Sequence, residues 1–139
     1  MTQISETCDI ALCQALRRVV FIEEQNVPLD LEIDGLDDEA RHLQVMHNGV
    51  AVGTARLLTD GDTGKIGRVC VLMQARGLGL GAALIRAAVE VFRSVPGVRR
   101  VKLGAQVHAL GFYEALGFVA EGEVYNDAGI PHRDMVLPL

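Results

Sequence analysis

Apolar positions recur along the chain with two different periods. Between residues 8 and 22 they fall at helical spacing: Ile10, Cys13, Leu16 and Val20, with Leu12 and Val19 beside them. Thr7 stands where a helix N-cap belongs. Pro28 marks the loop beyond, and Leu29 to Arg41 is acidic and turn-rich. From His42 to His47 the period falls to two, with Leu43 and Val45 on one face of a strand. Asn48-Gly49 is a hairpin signal, and Val50 to Leu58 reads as the returning strand. Asp60 to Gly64 is a second turn, before a third strand from Ile66 to Met73. Helical spacing returns from Leu80 to Val95, with Leu84, Ile85, Ala88, Val89 and Phe92 inward and Pro96-Gly97 as the stop. Val98 to Leu103 predicts a strand, and Leu110 to Leu116 a short helix capped by Gly117. Phe118 to Val124 and Met135 to Leu137 predict strands around an Asn126-Asp127-Ala128-Gly129 turn. This order predicts an α/β fold, a mixed sheet with helices packed on it.

Length and composition narrow the class. The 139 residues are one domain by length, residues 1–139, with 50% hydrophobic and 22% charged positions, the balance of a globular chain. No apolar run approaches the ~20 residues of a membrane span, and no basic-then-apolar leader is visible. Cys8, Cys13 and Cys70 are odd in number and lack Cys-x-x-Cys spacing, so neither a disulfide framework nor a zinc site is expected. A reducing cytoplasm is the expected compartment. The net charge of −5 argues against a general nucleic-acid binder. That charge is uneven: residues 1–64 hold 12 acids and 4 bases, residues 65–139 hold 6 and 9. The acidic half reads as a solvated loop, or as a bias of one cleft wall toward cationic substrates.

The chemistry concentrates after the third strand. Val69-Cys70-Val71-Leu72 leads into Gln74-Ala75-Arg76-Gly77-Leu78-Gly79-Leu80-Gly81-Ala82, which opens the long helix. Glycines at a helix N-terminus expose bare N–H groups at the positive end of the dipole, a phosphate site. A nucleotide P-loop requires Lys-Ser/Thr after the last glycine, and neither residue follows Gly81. A dinucleotide fingerprint requires an acid at the end of the next strand, where the sequence reads Gly97-Val98-Arg99-Arg100-Val101-Lys102.

Coenzyme A is the third candidate. Arg76-Gly77-Leu78-Gly79-Leu80-Gly81 resembles the Arg/Gln-x-x-Gly-x-Gly/Ala motif of the GNAT acetyltransferases. Phe112-Tyr113-Glu114-Ala115-Leu116-Gly117-Phe118 resembles that family's later Phe-Tyr-x-x-x-Gly-Phe segment. Val20 to Pro28, Glu32 to Asp37, Arg41-His42, Leu103 to Gln106 and Gly129 to His132 resemble the ElaA-like acyltransferases within it. The resemblance covers the whole chain. It implies a GNAT-type central mixed, mostly antiparallel sheet flanked by helices, acetyl-CoA as co-substrate and no metal. It also implies a small-molecule amine as acceptor, no nucleic-acid or membrane partner, and a homodimer as a common state.

The resemblance assigns roles residue by residue. Backbone N–H groups of Arg76, Gly77, Leu78, Gly79, Leu80, Gly81 and Ala82 would hold the pyrophosphate, with Phe112 beside the cofactor. Val69, Cys70 and Val71 would pair with the pantetheine arm, an N–H near Val71 facing the thioester oxygen. Tyr113 would be the general acid for the leaving thiolate; an unperturbed phenol, with pKa about 10, is protonated at neutral pH. Arg68, Gln106 and His108 fall on the acceptor side. The base stays open between His132, at the start of the last strand, and Glu24, at the end of the first helix; His42 and His108 are weaker candidates. Arg68 suits a carboxylate or phosphate, which opposes the cationic-substrate reading. Cys70 suggests a covalent acetyl-cysteine, but a cysteine in a β-branched strand is usually packing, so direct transfer in a ternary complex is preferred. Acetylation of protein amines and a silent acyl-CoA sensor are the alternatives.

Overall fold

A computed structural model describes residues Met1–Leu139. One seven-stranded sheet runs through it, built from β1 (Thr2–Thr7), β2 (Arg41–His47), β3 (Val50–Asp60), β4 (Thr63–Val71), β5 (Arg100–Gln106), β6 (Val119–Asp127) and β7 (Ile130–Pro138). Its order is β1-β2-β3-β4-β5-β7-β6. Neighbours are antiparallel except β4 and β5, which run parallel. The helices are α1 (Ile10–Arg17), α2 (Leu29–Glu32), α3 (Leu80–Arg93) and α4 (Leu110–Glu114).

The main core lies between α3 and the sheet. Leu80, Leu84, Ile85, Ala88, Val89 and Phe92 form the buried face of α3 and meet Leu43, Val45, Leu57, Val101 and Met135. Each large side chain so buried contributes about 1.5–3 kcal/mol. Phe92 lies so close over Gly64 that a Cβ there would overlap its ring, which fixes the approach of helix to strand. On the opposite face, Leu16 and Val20 pack on Cys70.

Most predicted elements are present with shifted ends. Asp9, not Thr7, caps α1, its Oδ1 accepting from the Leu12 N–H at 3.0 Å. The predicted helix over residues 8–22 leaves α-geometry after Arg17 and continues as a π-helical segment over Arg18–Glu24. The wider turn, closed by Gln25 N–H on the Val20 carbonyl, swings Phe21 and Gln25 toward the sheet's centre. Two elements have no counterpart in the hydrophobic pattern. The edge strand β1 offers only Ile4 to the core, and α2 is a single turn. The last strand starts at Ile130, not Met135, because Pro131 and the polar run His132-Arg133-Asp134 hide its alternation.

Candidate active site

The parallel pair is where the sheet opens. β4 and β5 are in register only from Thr63↔Arg100 to Ile66↔Leu103. Beyond that point the strands part. The β3–β4 register slips by one residue between Thr54↔Cys70 and Arg56↔Gly67, a bulge on β4 that contains Arg68 at φ 51. From Gly67 to Val71 the strand stays bonded to β3 alone at its far end, and the edge that would face β5 has no strand partner.

The opening is a cleft of about 560 Å³. One wall is Gly67–Val71; the other is Leu103, Gly104 and Gln106 of β5. Phe21, Val27, Leu31, Tyr113, Tyr125 and His132 also line the cleft, and Gln106 Nε2 donates to Gln25 Oε1 across it at 3.2 Å. Of the residues singled out in sequence, Arg68, Val69, Cys70, Val71, Arg76, Gln106, His108, Tyr113 and His132 all line it.

At the mouth the glycine turn enters α3. Gly77 and Gly79 have φ 83 and 77, a left-handed conformation that a side chain would strain, and a Cβ at either would meet nothing. Gly79 is the cap residue of α3, and no side chain caps that helix. The first-turn N–H groups therefore remain available to an anion of the coenzyme A type, favoured by the dipole of a 14-residue helix. Phe112 is half-exposed and lies against Gly81, its ring 3.6 Å from where a Cβ would sit.

Tyr113 is held by edge-on contacts with Phe112 and Phe118, ring centroids 5.0 and 6.1 Å apart. Burial pushes its phenol above the ordinary value, so it is protonated across the neutral range. His132 shares a cross-strand row with Gln106 on β5 and Tyr125 on β6. Its Nδ1 lies 2.7 Å from the Ile130 carbonyl. A carbonyl only accepts, so Nδ1 carries the hydrogen, and in the neutral ring Nε2 keeps its lone pair. Tyr125 stacks on this ring at 6.0 Å and 24°, and donates its hydroxyl to Asp134 at 2.8 Å. The Tyr125 hydroxyl occupies the space a Cβ on Gly104 would need. Tyr125 was not singled out in sequence; its register opposite His132 is the signal that marks it.

Glu24 departs from expectation. It does not line the cleft but grips Arg76 through two bonds of 2.5 and 2.8 Å, while Arg76 Nε donates to the Val71 carbonyl at 2.9 Å. Hydrogen bonding to Arg76 holds the Glu24 carboxyl below the usual carboxylate range, the wrong direction for a base. His42 is also away from the cleft, buried with Nε2 on the Asp37 carbonyl at 2.9 Å. Burial pushes the Cys70 thiol up to about 12, so it carries no thiolate at neutral pH.

The acidic loop is solvated at Asp30, Asp38 and Glu39, but Glu32, Asp34 and Asp37 turn to arginines. Arg17, 1% exposed, binds Glu32 through Nε at 2.5 Å and forks onto Asp37 at 2.9 and 3.0 Å. Arg56 forks onto Asp34 at 2.8 and 2.7 Å and reaches Asp37 at 3.2 Å. Glu32, Asp34 and Asp37 are thereby each paired with arginine, while Asp127 also lines the cleft. Nowhere do three His, Cys, Asp or Glu side chains converge as a metal site would need. No helix is long and apolar enough to cross a membrane.

Comparison with known proteins agrees with this geometry. A family model described as an acetyltransferase (GNAT) domain matches residues 19–139. Protein ElaA of Escherichia coli is 38% identical over 124 residues, covering 86% of this chain and 81% of ElaA. The crystal structure of Escherichia coli ElaA superposes with a TM-score of 0.87 at 33% identity, over 99% of both chains. That of an acyl-CoA N-acyltransferase from Pseudomonas aeruginosa gives 0.85 at 34% identity, again over 99% of both.

Proposed function

The chain belongs to the GNAT acetyltransferase family, and from that premise we propose that it transfers the acetyl group of acetyl-CoA to the primary amine of a small molecule. One observation carries the reading: the unpaired edge of β4, the Tyr113 phenol and the Nε2 face of His132 line a single cleft beside an uncapped helix N-terminus. The name of the similar Pseudomonas aeruginosa protein, an acyl-CoA N-acyltransferase, favours nitrogen as the acceptor atom.

The chemistry follows from the groups present. The N–H groups opening α3 bind the pyrophosphate, and the free edge of Gly67–Val71 binds the pantetheine arm as an added strand would. An N–H near Val71 polarises the thioester carbonyl. His132 Nε2 takes a proton from the acceptor ammonium, directly or through a water. The free amine attacks, a C–N bond forms, the C–S bond breaks, and the nitrogen sheds its second proton to solvent to leave the neutral acetamide. Tyr113 gives its proton to the departing sulfur, so the products are the acetamide and coenzyme A thiol. Tyr113 then recovers a proton from solvent, and His132 returns its own. With Cys70 held as a neutral thiol, transfer is direct within a ternary complex.

The test is release of coenzyme A thiol from acetyl-CoA over a panel of small amines and lysine peptides, beside thermal shift with acetyl-CoA. Turnover with small amines and a raised Tm support the reading. No thermal shift at millimolar acetyl-CoA overturns it, and a shift with no turnover leaves a sensor instead of an enzyme.

A further inference from the structure

The buried ionic cluster holds three guanidinium groups, and only two of them have carboxylates of their own. Both oxygens of Asp37 are forked by Arg17 and both oxygens of Asp34 by Arg56, while Glu32 takes the short bond from Arg17. Arg68 receives the remainder. Its Nη2 alone is bonded, to the Leu31 and Glu32 carbonyls at 3.3 and 3.1 Å and to an already occupied Asp34 oxygen at 3.2 Å. Its Nε is 3.8 Å from Glu32, outside hydrogen-bond range, and is buried without a partner. Arg68 is also the cluster's exposed cation: its side chain is 23% accessible, against 1% for Arg17 and 6% for Arg56, and it alone of the three lines the cleft.

Its backbone is costly as well. Arg68 sits at φ 51 in the bulge where β4 leaves β5. A non-glycine residue there stores strain, although Gly67 stands beside it. An under-paired guanidinium on a strained backbone, at the point where two strands open, is poorly explained by stability alone.

We propose that the acceptor amine also carries a carboxylate, and that Arg68 binds it. This deepens the acetyltransferase reading and rests on it. A planar carboxylate matches a guanidinium edge through two charge-assisted hydrogen bonds. One under-paired cation flanked by Glu32 and Asp34 suits a single negative charge better than the double charge of a phosphate. Phe21, Val27 and Leu31 line the same cleft, Leu31 with its carbonyl bonded to Arg68, and give it an apolar wall for an apolar acceptor body. An apolar amino acid has all three features.

The experiment compares matched acceptors on the wild-type protein with acetyl-CoA: L-leucine and L-phenylalanine, their methyl esters, the decarboxylated amines and the aminophosphonate analogues. The free acids are expected to show kcat/KM about 10- to 100-fold above ester and amine, the range of a charge-assisted hydrogen bond. The ester amine is less basic and more fully deprotonated at neutral pH, so this preference runs against the supply of free amine. Arg68→Gln should bring the acid-to-ester ratio near one through KM. Equal or better use of the esters overturns the proposal, and preference for the phosphonates replaces the carboxylate by a phosphate-type group. A second measurement separates this from failure of catalysis: calorimetric binding of N-acetyl-L-leucine, N-acetyl-L-phenylalanine and their methylamides to the coenzyme A-loaded protein. Tighter binding of the acids in wild type, lost in Arg68→Gln, supports the carboxylate site even where no transfer occurs. Binding of neither acid, or equal binding of acid and amide, sinks it.

Discussion

Replacing Arg17 by methionine keeps most of the side-chain volume and removes one charge from the buried cluster. Arg17 is 1% exposed, and its two partners, Glu32 and Asp37, have side chains 5% and 13% exposed. Neither carboxylate can be rescued by water without opening the acceptor-side loop. Truncating one partner of a buried pair costs about 3–5 kcal/mol, most of it the penalty of the stranded charge. Asp37 still has Arg56 at 3.2 Å, so the lower end of that range applies. For a chain of this length about 3 kcal/mol lowers Tm by roughly 10 °C. Urea unfolding of Arg17→Met, Asp37→Asn and the double variant measures this directly. The double variant should lose less than the sum of the singles, because each single strands the other's charge. A single-variant loss below about 1 kcal/mol, with additive behaviour, would mean that the cluster acts like solvated surface pairs and would refute the reasoning. Since Glu32 and Asp37 belong to the loop that meets Arg68, the same variant should raise KM for the acceptor and leave acetyl-CoA affinity unchanged.

Tyr113→Phe should lower kcat about a hundredfold, within the usual range for a general acid, while acetyl-CoA still raises Tm. Unchanged kcat removes the acid role. Gly79→Glu places a carboxylate at a left-handed cap (φ 77) beside bare N–H groups; equilibrium dialysis should find acetyl-CoA binding abolished, and normal binding would place the anion site elsewhere. Gly104→Ala displaces the Tyr125 hydroxyl from β5 and with it the stack on His132. The fold should lose only about 1 kcal/mol, one net hydrogen bond, yet kcat should fall about tenfold; equal kcat means that Tyr125 does not orient the histidine. The cluster also sets acid stability. Hydrogen bonding to Arg56 lowers the Asp34 carboxyl to about 2, and Arg17 holds Asp37 lower still. Because these folded-state values lie below the unfolded ones, the stabilisation is complete above about pH 4 and is lost as pH falls toward 2. Urea midpoints across that window should fall more steeply for wild type than for Asp34→Asn, and parallel curves would deny the linkage.

How much of this was legible in sequence depended on distance along the chain. Alternation at Leu43 and Val45, the Asn48-Gly49 turn, the glycine entry to α3 and its Leu84-Ile85-Ala88 face are local patterns, and each is found in the fold. β1 was missed because an edge strand buries too little to impose alternation. The π-helical segment was missed because one extra residue per turn leaves an apolar spacing that still reads as α. At the site, chain order and resemblance single out Tyr113, His132 and Val69 to Val71, and all of them line the cleft. The ionic cluster was not, since Arg17, Glu32, Asp34, Asp37, Arg56 and Arg68 meet only through tertiary folding. The same cluster draws Glu32, Asp34 and Asp37 out of an otherwise exposed acidic loop. Glu24 lies outside the cleft, bound to Arg76, a partner 52 residues away and beyond any local pattern.

The parting of β4 from β5 also bears on which edges the sheet exposes. A strand edge with unsatisfied N–H and C=O groups is normally a nucleation point for intermolecular sheet growth and is blunted by charge or proline. Gly67–Val71 is such an edge, but it lies at the bottom of a wedge whose other wall is β5, four paired residues away from closure. That placement turns the edge toward the cleft and not toward the rim of the sheet, whose outer strands are β1 and β6.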